Sequence, residues 1–409
     1  CIRDRNNSGE LAKLYEHCGY STFARTGDIY CLFYERGWQL LKQGGHLCYI
    51  TSNKWMRAGY GEKTRDFFAT KTNPMLLIDF AGVKIFESAT VDTNILLFSK
   101  SNNQHKTACA VTNKQNKDSV KNLSDFVQQQ GVECDFTGSD SWVILSPIEQ
   151  SIKRKIEAVG VPLKDWDIQI NYGIKTGYND AFIISTEKRN EILTNCKDAD
   201  ERKRTEELIR PILRGRDIKR YGYEWANLWI INTHNGIKGK LPRIDVNEYP
   251  AIKAHLDQYW DKISKRADKG DTPYNLRNCA YMEDFCKQQI VWIELSDNPK
   301  FALTQNIISA NTVFFLTGEH ILHLLGLLNS KLITWYFRHC IGTTSGVGTN
   351  RWLKYTIEQI PISSPNAEIE SLASKISENY KEDLDEEIDY KVCLSYNLNE
   401  MEISYITEQ

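Results

Sequence analysis

Four groups of side chains in this sequence combine residue types that can hold a phosphate. The first is Ser52-Asn53-Lys54-Trp55, with Arg57, Tyr60 and Lys63 behind it. It follows an apolar run, His46 to Thr51, that reads as a buried strand. The C-terminal edge of strands in open α/β sheets is where ligands bind. Lys54, Arg57 and Lys63 have the charge and reach to contact nucleic-acid phosphates; a solvated strand-to-helix turn accounts for the same spacing equally well. The second group centres on Lys175, set between Gly173 and Gly177, whose loop can approach a backbone closely. The third crowds Arg202, Lys203, Arg204, Arg210, Arg214, Arg216, Lys219 and Arg220 into one short segment. Tyr178, Tyr221, Tyr223, Trp225 and Trp229 interleave with it. A neutral protein can hold phosphates on such a patch, although a charged surface helix over core aromatics is the plainer account. The fourth is Gly342-Thr-Thr-Ser-Gly-Val-Gly348, followed by Asn350, Arg351 and Lys354. It lacks the Gly-Lys-Ser/Thr of a phosphate-binding P-loop, and a connector fits it as well.

The elements that must carry these groups can be read from periodicity. Asp28 to Lys42 places Ile29, Leu32, Phe33, Leu40 and Leu41 at helical spacing, and Gly44-Gly45 stops that helix. After the strand at 46–51, Gly61 to Lys71 predicts a helix with basic residues on one side. Met75 to Phe80 and Val91 to Ser99 predict two further strands, the last apolar on both faces. Helix and strand alternate, which predicts an α/β sheet. Ser101 to Gln130 is rich in Asn, Gln, Lys and Ser and predicts a domain edge with a linker. Beyond it, strands are expected at 181–185, 228–232, 289–295 and 312–316, and helices at 249–266 and 320–338. The acidic run Lys381-Glu-Asp-Leu-Asp-Glu-Glu387 predicts a solvated helical face.

The 409 residues suffice for two or three domains, and 41% apolar with 25% charged content is globular. A net charge of −2 gives no global case for nucleic-acid binding, so any such surface is local. Eleven cysteines without a Cys-x-x-Cys spacing or a paired His cluster argue against structural zinc and a disulfide framework, and fit a reducing compartment. No apolar run is long enough to span a bilayer, so no membrane partner is expected.

Three strings in order carry a family resemblance. The Asp28-Ile-Tyr helix is followed by Gly44-Gly45 and a strand ending at Ser52-Asn53-Lys54-Trp55. Phe86 then precedes Thr90-Val-Asp-Thr93 and an apolar strand. This succession resembles the back half of Eco57I-like and TaqI-like adenine-specific DNA methyltransferases, downstream of their catalytic loop. Farther on, Ile170-Asn-Tyr-Gly-Ile-Lys-Thr-Gly177, Ile209-Arg-Pro-Ile-Leu-Arg-Gly-Arg-Asp-Ile-Lys-Arg-Tyr221, Asp271-Thr-Pro-Tyr-Asn-Leu-Arg277 and Leu327-Leu-Asn-Ser-Lys-Leu332 lead to Ile360-Pro361. That order resembles the TaqI-like C-terminal specificity domain, a target-recognition domain.

The resemblance implies the C-terminal part of a class I (Rossmann-like) methyltransferase sheet followed by an α+β target-recognition domain. The expected division is 1–110 for the methyltransferase part, 111–140 for a linker or domain edge, 141–365 for the specificity domain and 366–409 for an acidic helical segment. It implies methyl transfer from S-adenosylmethionine to the amino group of a flipped adenine, in a restriction-modification system of a bacterial or archaeal cytoplasm. Double-stranded DNA would be the partner, and Mg2+ would be needed only if a nuclease is fused. Phe86 would stack on the extruded base. Lys54, Arg57, Lys63, Lys175, Arg214, Arg216, Arg220 and Arg351 would contact DNA.

The family's Asn/Asp-Pro-Pro-Tyr/Phe loop and its glycine-rich cofactor loop are not found. Asn73-Pro74 and Asn298-Pro299 lack the second proline and are ordinary turns. The expectation is an N-terminally truncated piece, inactive alone, whose opening Cys-Ile-Arg-Asp-Arg is foreign. A non-catalytic specificity protein related to type I specificity subunits is the alternative.

Overall fold

The computed structural model describes residues 10–80, 83, 85–86, 91–112, 121–342, 344–345 and 349–408. The opening residues and the Glu87–Thr90 part of the Phe86 string lie outside the described residues, as do Thr343 and Gly346 to Gly348 of the glycine-rich loop. The chain forms two compact units. One comprises Cys1–Ala158 with Trp335–Arg351, the other Val159–Thr334 with Trp352–Gln409.

The first unit is built on a five-stranded sheet of order β1-β3-β2-β4-β5. Its strands are β1 (His46–Ser52), β2 (Asn73–Asp79), β3 (Thr93–Ser99), β4 (Thr107–Val111) and β5 (Val132–Cys134). β1 and β2 both run antiparallel to β3, and β2 pairs parallel with β4. β1 and β2 therefore point the same way, joined through helix Glu62–Lys71, with β3 inserted between them. The fold is α/β, as the alternation of elements predicts. β3 carries Leu96 and Phe98 on one face and Ile95 and Leu97 on the other, which suits its central place.

Helix Tyr30–Leu40 packs Cys31 and Tyr34 into the same core as Leu77, Leu96 and Phe98. Helix Glu62–Lys71 adds Phe67 and Phe68 to that core. Two readings need correction. Among the described residues β1 is an edge strand with alternating exposure, not a buried one, and Ile50 is 44% exposed. An apolar run of this length cannot by itself distinguish a central strand from an edge strand. Residues 111–140 are also not simply a linker. Helix Leu123–Gln130 and β5 belong to the sheet region, and Phe136 stacks on Trp142 at 4.2 Å between ring centroids. Trp142 in turn meets Trp55 and Phe68 in the aromatic core. A polar composition hid the few aromatic residues that fix this return segment.

The second unit holds two four-stranded sheets. Its strands are β6 (Val161–Pro162), which pairs with the strand Pro361–Ile362 apart from the two sheets, β7 (Ile168–Tyr172), β8 (Ile183–Ser185), β9 (Ile209–Leu213), β10 (Leu228–Ile231), β11 (Gln288–Ile293), β12 (Ala302–Gln305), β13 (Ile308–Ser309) and β14 (Val313–Gly318). One sheet has the order β13-β9-β10-β8 and the other β12-β11-β14-β7. The strands expected near 228, 289 and 312 are present. Of 181–185, the first two residues fall instead in the short helix Asn179–Phe182. The helix expected at 249–266 is broken into Pro250–Asp257 and Trp260–Ile263.

The C-terminal segment forms helices Ala367–Glu378, Glu382–Ser395 and Glu400–Thr407. Its acidic run is not wholly solvated. Asp385 and Asp389 turn inward and are 9% and 3% exposed.

Candidate nucleic-acid interface

At the end of β1 the Ser52 hydroxyl accepts the Lys54 N–H and the chain enters a short 3-10 turn, Asn53–Met56. Trp55 and Met56 drop into the core and Lys54 faces solvent. Gly61 is required just beyond, because a Cβ there would collide with the Trp55 carbonyl.

Strand register then sets Thr51, Asn94 and Asp79 side by side across β1, β3 and β2. This polar row lies at the C-terminal ends of β1 and β2, the edge where sheets of this class bind ligands. The Tyr34 hydroxyl bonds Thr51 at 2.8 Å. Asn53 donates to Asp79 at 2.7 Å and Arg57 pairs with the same carboxylate at 3.3 Å. Burial pushes the Asp79 carboxyl above its ordinary pKa, against the opposing pull of Arg57 and Asn53. Asn94 is fully buried and donates to the Ser52 carbonyl at 3.2 Å, while its Oδ1 has no partner among the described residues. Phe86 follows seven residues after Asp79 and is 43% exposed.

The sequence brackets Lys54, Arg57 and Lys63 together, but the structure separates them. Lys54 and Lys63 are exposed. Arg57 is committed inside the unit, to Asp79 and to the Arg338 carbonyl at 3.2 Å. That corrects its reading as a phosphate contact. Arg65, on the helix expected to show a basic side, is only 5% exposed and donates to the carbonyls of Ser139, Trp55 and Ala58. Arg351 is half-buried and also has a partner within the chain.

In the second unit, Gly173 packs against the backbone of Ser309 and Ala310, and Gly177 has φ +73°. These glycines let the Lys175 loop lie flat on its neighbours. Lys175 pairs with Asp268 at 2.8 Å, and Arg277 reaches the same carboxylate at 3.3 Å. The Lys175 donor, aided by Arg277, holds the Asp268 carboxyl below its usual range. The two strings quoted for the specificity domain, 170–177 and 271–277, thus meet at one acid.

Arg266 ties them together from below, and sequence reading missed it. Arg266 is 7% exposed, and its guanidinium lies 4.3 Å from the Phe182 ring and donates to the carbonyls of Thr176, Asp268, Pro273 and Asn275. Nothing in the local sequence distinguishes it from the exposed Lys262 and Lys265 nearby.

The crowded segment 202–220 does not form one patch. Arg214 makes a two-pronged pair with Asp217, at 3.0 and 2.8 Å. Burial alone would raise the Asp217 carboxyl, but the Arg214 donors outweigh it and hold it low. Arg220 makes the same fork to Asp385 at 2.7 Å on each arm, and also donates to the Asn329 carbonyl. Lys219 pairs with Glu224, and Arg210 donates to the Asn306 carbonyl. Arg220 is therefore a bracing residue of the fold, and its reading as a DNA contact is corrected. Arg216 remains exposed.

This gives a prediction. Arg216→Ala is expected to reduce the salt slope of DNA binding by about 0.9. Arg214→Ala is expected to leave the slope unchanged and lower stability by about 1–3 kcal/mol, because it orphans a buried carboxylate. Titrations at four salt concentrations, with urea melts alongside, would separate the two; equal slope losses would refute the distinction.

Among the described residues, no cluster of three or more His, Cys, Asp and Glu side chains could hold a metal ion. No described helix is long and apolar enough to cross a membrane.

Two family models match the sequence. The Eco57I restriction-modification methylase model matches residues 2–86, and the TaqI-like C-terminal specificity domain model matches residues 210–362. The first match begins at Ile2, so four of the five opening residues expected to be foreign fall within it.

The chain is similar along its full length to the Type II methyltransferase M.BstVI of Geobacillus stearothermophilus, with 20% identity over 442 residues and 73% of that protein covered. Over 62% of its length it is similar to the Type II restriction enzyme and methyltransferase RM.Eco57I of Escherichia coli, with 26% identity and 26% of that protein covered. Among solved structures, the Type IIL restriction-modification enzyme MmeI, in complex with DNA, matches 97% of this chain with a TM-score of 0.59 and 14% identity. That likeness is one of fold, and the chain covers 54% of the MmeI chain. The chain thus carries an Eco57I-type restriction-modification methylase segment over residues 2–86 and a TaqI-like C-terminal specificity domain over residues 210–362.

Proposed function

We propose that this chain is the substrate-side and DNA-recognition part of a site-specific DNA methyltransferase. The whole enzyme would transfer a methyl group from S-adenosylmethionine to N6 of an adenine flipped out of the duplex. The observation that carries this reading is Phe86. Leaving a phenyl ring 43% exposed forgoes part of the roughly 1.5–3 kcal/mol that its full burial would give. The ring stands close in sequence to the end of β2, at the ligand edge of the sheet. An extruded base needs an exposed π surface there, and a core phenylalanine does not. The order of the two family segments supports the same reading, as does the exposed charge on Lys54, Lys63 and Arg216.

S-adenosylmethionine would supply the methyl group, but the described residues do not fit its pocket. Asp79, the carboxylate at the end of β2, is already taken by Asn53 and Arg57, and the Gly44-Gly45 turn precedes a strand instead of following one. Because the 409 residues contain no Pro-Pro string, the chain alone is proposed to bind DNA without methylating it.

The test has two arms. The chain is incubated with tritiated S-adenosylmethionine and a random-sequence duplex pool. Pull-down should enrich one motif without tritium transfer, and transfer would overturn the division of labour. The methylome of a strain carrying the complete gene should then show N6-methyladenine at that motif, lost when the gene is deleted. N4-methylcytosine at the motif would overturn the adenine assignment.

A further inference from the structure

The second unit contains a basic loop at residues 234–243, outside the groups singled out by sequence. It borders a cleft of about 750 Å³ lined by Asn235, Lys238, Lys240, Arg243 and Asp271, among others. Reciprocal backbone bonds between Ile237 and Leu241, at 2.8 and 2.9 Å, close its turn. Gly236 and Gly239 supply positive φ angles of +74° and +77°. The base is pinned by Asn275, 1% exposed, which donates to the Ile244 carbonyl at 2.9 Å. Lys238, Gly239 and Lys240 are left exposed at the tip.

We propose that this tip clamps the backbone of duplex DNA, Lys238 and Lys240 each holding one phosphate. The proposal rests on the DNA-binding reading above. Three cations and no carboxylate lie within 234–243. Lys238 has no carboxylate partner among the described residues. Lys240 meets Glu283 and Arg243 meets Asp271 only as exposed surface pairs. Such pairs are worth about 0–1 kcal/mol, so a phosphate can displace the carboxylates.

The loop's amide cannot read a base edge. Asn235 donates to Asp271 and Asn278 and accepts the Asp271 N–H, so both ends of its side chain are occupied. What remains at the exposed tip is lysine, a flexible point charge suited to phosphate. The tip therefore sets register and affinity and leaves sequence choice to other residues.

The test uses the 409-residue chain and a fluorescent 30-base-pair duplex, with affinity measured from 50 to 200 mM salt. The Lys238→Ala/Lys240→Ala variant is expected to lower the salt slope by about 1.8, two phosphate contacts at 0.9 each, and to weaken cognate and non-cognate duplexes equally. An unchanged slope, with wild-type binding intact, overturns the clamp and leaves the DNA-binding reading standing. Loss confined to the cognate duplex also overturns it, in favour of base readout. A wild-type chain that binds no duplex overturns the DNA-binding reading and the clamp with it. Matching urea midpoints for variant and wild type would show that the two substitutions leave the fold intact.

Discussion

Phe86→Ala, placed in the complete gene product, is expected to lower methyl transfer roughly 5–150-fold while changing duplex affinity far less. The range follows from base–aromatic stacking, worth about 1–3 kcal/mol per base. The stacking interaction forms only after the base leaves the duplex, so its loss should appear in the transfer step and not in ground-state binding. Phe86→Trp, which keeps a π face, should recover much of the rate. Steady-state kinetics and equilibrium binding on the same duplex would decide it. Equal losses in rate and affinity, or no rescue by Trp, would make the ring a packing residue instead.

Arg266→Met should be the most destabilising single change among the cations discussed, at about 3–5 kcal/mol. The guanidinium is buried and satisfies carbonyls of Thr176, Asp268, Pro273 and Asn275. Each buried carbonyl left unpaired costs about 1–3 kcal/mol, although local relaxation recovers some of that. Burial pushes the guanidinium pKa down to about 10, with Asp268 pulling the other way, so the group stays charged at neutral pH. Its carbonyl bonds and the Phe182 ring offset the cost of that buried charge. A shorter, more strongly hydrated ammonium cannot span the same carbonyls, so Arg266→Lys should be intermediate. Urea melts give the stability, and hydrogen exchange should show faster opening around Lys175 and 271–277. A loss under 1 kcal/mol would mean that those loops are held by other contacts.

Local order was legible in the sequence wherever one short period decided it. Ile29, Leu32 and Phe33 at helical spacing, stopped by Gly44-Gly45, foretold helix Tyr30–Leu40. The double-sided apolar run around Ile95 to Phe98 foretold a central strand. The family-bearing strings are local too, and they lie in the segments matched by the two family models.

The edge position of β1 was not legible, because a strand's neighbours are set by pairing over tens of residues. The fate of each cation was no more visible. Arg214 and Arg216 are two residues apart, yet one is locked to Asp217 and the other is exposed. Arg57 finds Asp79 across 22 positions, and Arg220 finds Asp385 across 165. Sequence fixes which side chains carry charge and which local element holds them. Whether a charge remains available to a phosphate depends on which carboxylate or carbonyl the tertiary fold brings within about 3 Å of it, and only the folded chain decides that.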